Sequence, residues 1–304
     1  MGSLRVSAGL LLGALLPFTT GAQLIPTGMP VPRTTLPPVV FINGFQTSCP
    51  VKFSDTFGSA DQVLQANGQI SLFFSTCTLA LTSSIEDLAG AFAKFLGDLR
   101  YTDGTAVEQV DIVAHSMGGL VLRVYLSGKQ NATGMFQPPA ETHIRKAVFL
   151  ATPHFGSGVA SLLGITKQLQ ELTSGSSFLF DLGVWNQGTD DLRGVDAIAA
   201  AGNAGSGGSG NASGFDDGVV ALTSASLAFY LPGRTRVVPF CHIDGGGLIT
   251  LVGLCPGSAK GIANIDSAAE YTRVPGSTLI EIRRRSKRWV ATVNCGTAKS
   301  QCMG

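Results

Sequence analysis

Three observations predict an α/β fold. Short β-branched apolar runs recur along the chain, segments of helical apolar spacing lie between them, and one strand passes through a glycine-closed turn straight into a helix. Val39 to Ile42 is the first strand and Ile70 to Phe74 the second. Ile85 to Leu99 carries Leu88, Phe92, Phe95 and Leu99 at helical spacing, with Glu86 and Asp87 in its first turn, where carboxylates suit the helix dipole. Val110 to Leu120 reads V-D-I-V-A-H-S-M-G-G-L, a buried strand and a tight turn, with a helix following from Gly119 to Leu126. Lys146 to Thr152 and Val195 to Ala201 read as further strands, and Val237 to Phe240 completes the last core strand. Val252 to Ala269 has little periodicity and is the place left for a closing helix.

The length, 304 residues, suits one large domain or two small ones with a real core. Charged residues make up only 13% of the chain and the net charge is +1, so the basic face that nucleic-acid binding needs is missing. Residues 1–22 have the order of a secretory signal: Arg5, the apolar stretch Val6 to Phe18, then the small residues Thr20-Gly21-Ala22. That stretch is short for a membrane span, and no later apolar run is long enough, which predicts secretion without a transmembrane segment. Residues 23–38, with five prolines, form an extended leader without a core of its own. Six cysteines in an exported chain predict three disulfides. The pairing is open, and proximity favours Cys49–Cys77, Cys241–Cys255 and Cys295–Cys302. Neither a C-x-x-C spacing nor a clustered acidic loop calls for a metal, and no cofactor is expected.

Chemistry concentrates in three places. Ser116 stands at the apex of the strand–turn–helix stretch, with the small residues Ala114 and Gly118 two positions either side, as a strained nucleophile turn requires. Phe215-Asp216-Asp217-Gly218 follows the Gly/Ser-rich loop from Gly202 to Gly214 and offers a carboxylate. Of the four histidines, His115 belongs to the turn itself and is expected to point away from Ser116, and His143 precedes a strand. His242 directly follows the last core strand and completes the chain order Ser, Asp, His.

The V-D-I-V-A-H-S-M-G-G stretch, Asn43-Gly44-Phe45 after the first strand, Thr152-Pro153-His154-Phe155-Gly156-Ser157, the G-S-S-F-L run at 175–179 and Asp217-Gly218-Val219-Val220 together resemble the lipase and esterase branch of the α/β-hydrolase superfamily, from Val39 to His242. The resemblance implies a mostly parallel sheet with helices on both faces, in one domain over residues 39–304. It implies Ser116 as nucleophile, His242 as base and Asp217, the aspartate directly before the glycine, as acid. It places the oxyanion hole at the backbone N–H groups of Phe45 and Met117. Asn43 stands where the family has histidine, a departure in the oxyanion loop.

Residues 156–192 have the apolar character of a lid or cap insertion, a pattern that helices packed on the core would share. As a lid they would offer Leu162, Leu163 and Phe178 to an acyl chain, with His154 shaping the site. Residues 281–304, rich in arginine, are expected to be a solvated tail. The activity implied is a secreted serine ester hydrolase, a lipase acting on triacylglycerol or another lipid ester at a lipid interface. An acyltransferase, a polyester depolymerase, a glycolipid deacylase and a non-catalytic binding module are the other uses of such a scaffold. A histidine base must be neutral, so the rate should fall below about pH 6–7.

Overall fold

The computed structural model describes residues 24–185, 190–205, 215–244 and 254–264, and the backbone of 280–285 and 288–293. The expected signal segment, most of the Gly/Ser-rich loop and the Cys295–Cys302 pair lie outside the described residues. Six strands form one parallel sheet: β1 (Val39–Ile42), β2 (Ser71–Phe74), β3 (Val110–His115), β4 (Ile144–Leu150), β5 (Asp196–Gly202) and β6 (Thr235–Val238), in the order β2-β1-β3-β4-β5-β6. Between them lie α1 (Phe53–Phe57), α2 (Ala60–Ala66), α3 (Ile85–Asp98), α4 (Met117–Ser127), α5 (Gly158–Leu163), α6 (Lys167–Leu172), α7 (Ser177–Val184) and α8 (Leu222–Ala225).

The period of two in each strand divides the core between two faces. Val40 and Ile42 of β1, with Val110, Ile112 and Ala114 of β3, pack under α3 and α4. Val39, Phe41 and Val113 face the other way, where Phe41 meets Phe53 and Phe57 of α1 edge-on at centroid separations of 5.0 and 4.9 Å. Strands covered on both sides tend to read as apolar runs, as β1 does (VVFI), and β1 and β3 are buried at every position, Asp111 and His115 included. α3 begins where its carboxylates predict: Ser84 and Asp87 form a reciprocal capping box. Phe92 of α3 meets Tyr125 of α4 edge-on.

Three segments take a more defined form than the sequence pattern alone suggests. The proline-rich leader is extended but anchored: the Val31 N–H donates to Arg100 O, Val31 is fully buried, and the Arg33 guanidinium lies 3.9 Å from the Tyr101 ring centroid. The described part of the expected closing helix, 254–264, is turns rather than helix. Cys255 is disulfide-bonded to Cys241, and the Cys241 and Ile262 amides donate to Lys260 O and Cys241 O, which commits this segment to the end of the sheet. The arginine-rich stretch is a two-stranded antiparallel pair, β7 (Ile280–Arg285) with β8 (Arg288–Val293), because alternating residues suit a strand whatever their charge.

Candidate active site

β3 ends at His115, and α4 begins at Met117, leaving one residue to make the turn. That residue, Ser116, holds φ 54° and ψ −129°, a conformation costly for any side chain and sustained by the packing around it. The turn lies hard against the loop after β1. A methyl group on Gly118 would stand 2.6 Å from the carbonyl oxygens of Ile42 and Asn43, and one on Gly44 would stand 2.7 Å from Ser116 Cβ. Glycine at 44 and 118 lets the two backbones meet.

Ser116, Asp217 and His242 are brought together, from three separate strand ends. His242 Nδ1 lies 2.8 Å from Asp217 Oδ2, and His242 Nε2 lies 2.8 Å from Ser116 Oγ. A carboxylate only accepts, so Nδ1–H donates to Asp217 and the bare Nε2 faces the serine hydroxyl. The second oxygen of Asp217 accepts from the amides of Val219 (3.0 Å) and Val220 (2.7 Å), and its carbonyl accepts from the His242 amide. Asp216 serves the backbone instead, its Oδ1 capping the turn by accepting from the Gly218 amide.

The sequence reading missed His115. Its ring does not leave the site; it lies 4.8 Å from the His242 ring, and its Nε2–H donates to the His242 carbonyl oxygen at 3.0 Å. Burial first, and the neighbouring His242 second, push the His115 imidazole down to about 3, so it stays neutral. The strand pattern gave no sign of this contact, which joins residues 127 apart in the chain.

Phe45 and Gly44 line the cleft at Ser116, and Met117 opens α4, so its amide has no acceptor within the helix. Asn43, in the histidine position, is buried and takes hold of the neighbouring loop. Its Oδ1 accepts from the Thr76 amide (2.7 Å) and hydroxyl (3.1 Å), and that hydroxyl lies 2.8 Å from Gly44 O as well. The Cys49–Cys77 disulfide joins the same two loops.

The four remaining candidates lie elsewhere. His154 is buried between the rings of Phe149 and Phe229, its imidazole driven well below the ordinary histidine value by burial and by Arg123. Phe178 is buried under the Lys129 ammonium, while Leu162 and Leu163 face solvent. None of the four lines the cleft described around Ser116. Among the described residues no cluster of side chains could hold a metal ion.

A parallel sheet carrying a strained serine turn after its third strand, with an aspartate and a histidine brought to that serine from loops after later strands, has the architecture of the α/β-hydrolases. No protein-family model matches the chain, and no curated protein does. Among solved structures it is similar to the mature form of lipase BlEst2 from Bacillus licheniformis, with 20% identity over 75% of this chain and 91% of that one and a TM-score of 0.50. Phospholipase PlaB from Legionella pneumophila, in complex with thio-NAD, matches at 20% identity and a TM-score of 0.47, over 63% of this chain. The chain spans only 44% of PlaB. The metagenomic carboxyl esterase MGS0156 matches at 14% identity, over 78% of this chain and 76% of that one, with a TM-score of 0.48. The chain has the α/β-hydrolase fold, which the similarity to BlEst2 supports.

Proposed function

We propose that the protein is a secreted serine hydrolase of carboxylic esters. The observation that carries this reading is the unbroken chain from Asp217 through His242 to Ser116, with 2.8 Å at each link. A serine hydroxyl is a poor nucleophile until a base takes its proton. His242 Nε2 takes it as Oγ bonds to the ester carbonyl carbon, and Asp217 stabilises the imidazolium. The carbonyl oxygen gains the negative charge, for which the amides of Phe45 and Met117 are the donors; losing one such donor raises the barrier by about 2.7–4 kcal/mol. The imidazolium then returns its proton to the leaving alcohol, leaving an acyl group on Ser116. Water, deprotonated by the same base, releases the acid and restores the serine. His242 must be neutral at the start, so the rate falls on acidification. Secretion is supported by two disulfides, which persist in oxidising compartments.

A lipase working at a lipid interface is a second reading. It is favoured by the solvent-facing apolar side chains of 156–184, among them Leu162 at 79% exposure, Ile165 at 90% and Phe180 at 66%. Hydrolysis of 4-nitrophenyl esters from acetate to palmitate tests both readings. Turnover by the wild type that is lost in Ser116→Ala, and reduced on the order of 10⁴-fold in Asp217→Asn, is the result expected. Preference for palmitate, rising sharply once the substrate forms an interface, would favour the lipase. Equal inertness of wild type and Ser116→Ala on every ester would remove the hydrolase reading.

A further inference from the structure

The cleft at Ser116 is only half apolar, where a long acyl chain needs a continuous apolar wall. Its volume is about 350 Å³, and beyond the triad its described lining includes Gln46, Thr47, Asp55, Thr56, Asp244 and Asn264. Phe45, Ile243 and Ala263 are the apolar side chains larger than hydrogen in that lining. No lysine or arginine is among the described residues that line it. The segment expected to hold an acyl chain contributes nothing to this lining.

The two carboxylates are held by backbone amides and, for Asp244, by the Asn264 side chain as well. Asp244 Oδ1 accepts from the Gly261 amide at 2.8 Å and its Oδ2 accepts from Asn264 Nδ2, while Asp55 Oδ2 accepts from the Lys52 amide at 2.8 Å. A carboxylate has about four lone-pair sites, so both keep acceptor capacity for a substrate. A methylene chain laid against them would strip water from carboxylates without replacing it, and an anionic headgroup would meet like charge. Hydroxyls, amides and a positive charge meet favourable partners.

Resting on the ester-hydrolase reading, we propose that the substrates are small esters whose non-scissile end is polar and either neutral or positively charged. Long acyl chains and anionic headgroups are excluded by the same side chains. Asp55 and Asp244 set the charge preference.

Three short esters of matched size separate the possibilities: acetylcholine, its neutral isostere 3,3-dimethylbutyl acetate, and 3-sulfopropyl acetate. We expect kcat/KM to be about tenfold higher for the cation than for the isostere at low salt, to narrow in 0.5 M NaCl, and to be lowest for the anion. 4-Nitrophenyl butyrate should exceed the palmitate. Asp55→Asn and Asp244→Asn should each shrink the ratio of kcat/KM for acetylcholine to that for 3,3-dimethylbutyl acetate severalfold. Should Asp244→Asn fail to fold, Asp55→Asn on the exposed face of α1 decides alone. A preference for palmitate or for the anion, or a cation ratio unmoved by both variants, would overturn the assignment while leaving the hydrolase reading standing. No turnover of any ester above the Ser116→Ala background would instead remove the hydrolase reading, and this inference with it.

Discussion

The His115 side chain fastens the loop that carries the candidate base His242. Its Nε2–H fixes the carbonyl of His242, whose amide is fixed by the Asp217 carbonyl, so the base is held on both sides of its own Cα. Replacing it with phenylalanine keeps the ring and removes the donor; glutamine keeps a donor. We expect His115→Phe to lower kcat roughly 10–100-fold with KM little changed, and His115→Gln to recover most of the loss, because small misplacements of a catalytic group cost rates of this order. If phenylalanine and glutamine were equally impaired, the contact would be packing alone. Glu171 offers a second test, remote from the cleft. Burial raises its carboxyl from the ordinary 4.5 to about 7, opposed by the Ile85 amide, which donates to it at 2.8 Å. The native state therefore holds that proton more tightly than the unfolded chain does. Stability from this group is complete below about pH 4.5 and declines as pH rises towards about 7. Urea midpoints should fall across that interval in wild type and less steeply in Glu171→Gln; parallel slopes would contradict the assignment.

At the scale of elements, the helices read from the sequence as a lid are fastened to the body by buried charge. Lys129 after α4 reaches Glu86 of α3 at 2.8 Å and Asp181 of α7 at 3.3 Å, all three nearly inaccessible to water. Arg123, within α4, donates to Leu182 O at 2.9 Å. Removing one partner from such a group leaves uncompensated charge in the interior, so Lys129→Met should cost about 3–5 kcal/mol in chemical denaturation. A loss under 1 kcal/mol would mean that α7 is held by apolar packing alone. The sequence could not show this network, because Lys129, Glu86 and Asp181 each read as an ordinary surface charge until α3, α4 and α7 meet. The strands and α3 were legible because burial on both faces and a capping box leave marks in the local pattern. β6 was placed two residues late: it is an edge strand, with Arg236 and Val237 exposed, and carries little of the apolar signature. The apolarity of Leu162, Leu163 and Phe178 does not by itself say whether a side chain faces core, cleft or solvent; Phe178 is buried and the two leucines are exposed.

For the whole molecule, the candidate site exists because one sheet edge gathers loops distant in sequence. β1, β3, β5 and β6 all run the same way, so the loops with Phe45, Ser116, Asp217 and His242 arise at one end of the sheet. Disulfides reinforce two of those loops, Cys49–Cys77 at the Gly44–Phe45 turn and Cys241–Cys255 beside His242. Ser116, Asp217 and His242 could be named as candidates from the sequence because this topology lets loops in the chain order Ser, Asp, His meet at one end of the sheet. The polar lining was not, since Asp55 comes from α1 and Asn264 from a segment read as helix. The most direct test of the account is a single covalent label. Mature protein treated with a fluorophosphonate should gain one adduct by intact mass, mapped by peptide sequencing to Ser116, and His242→Ala should label far more slowly. A fully folded protein that takes up no label, or takes it at another residue, would contradict the catalytic assignment of Ser116.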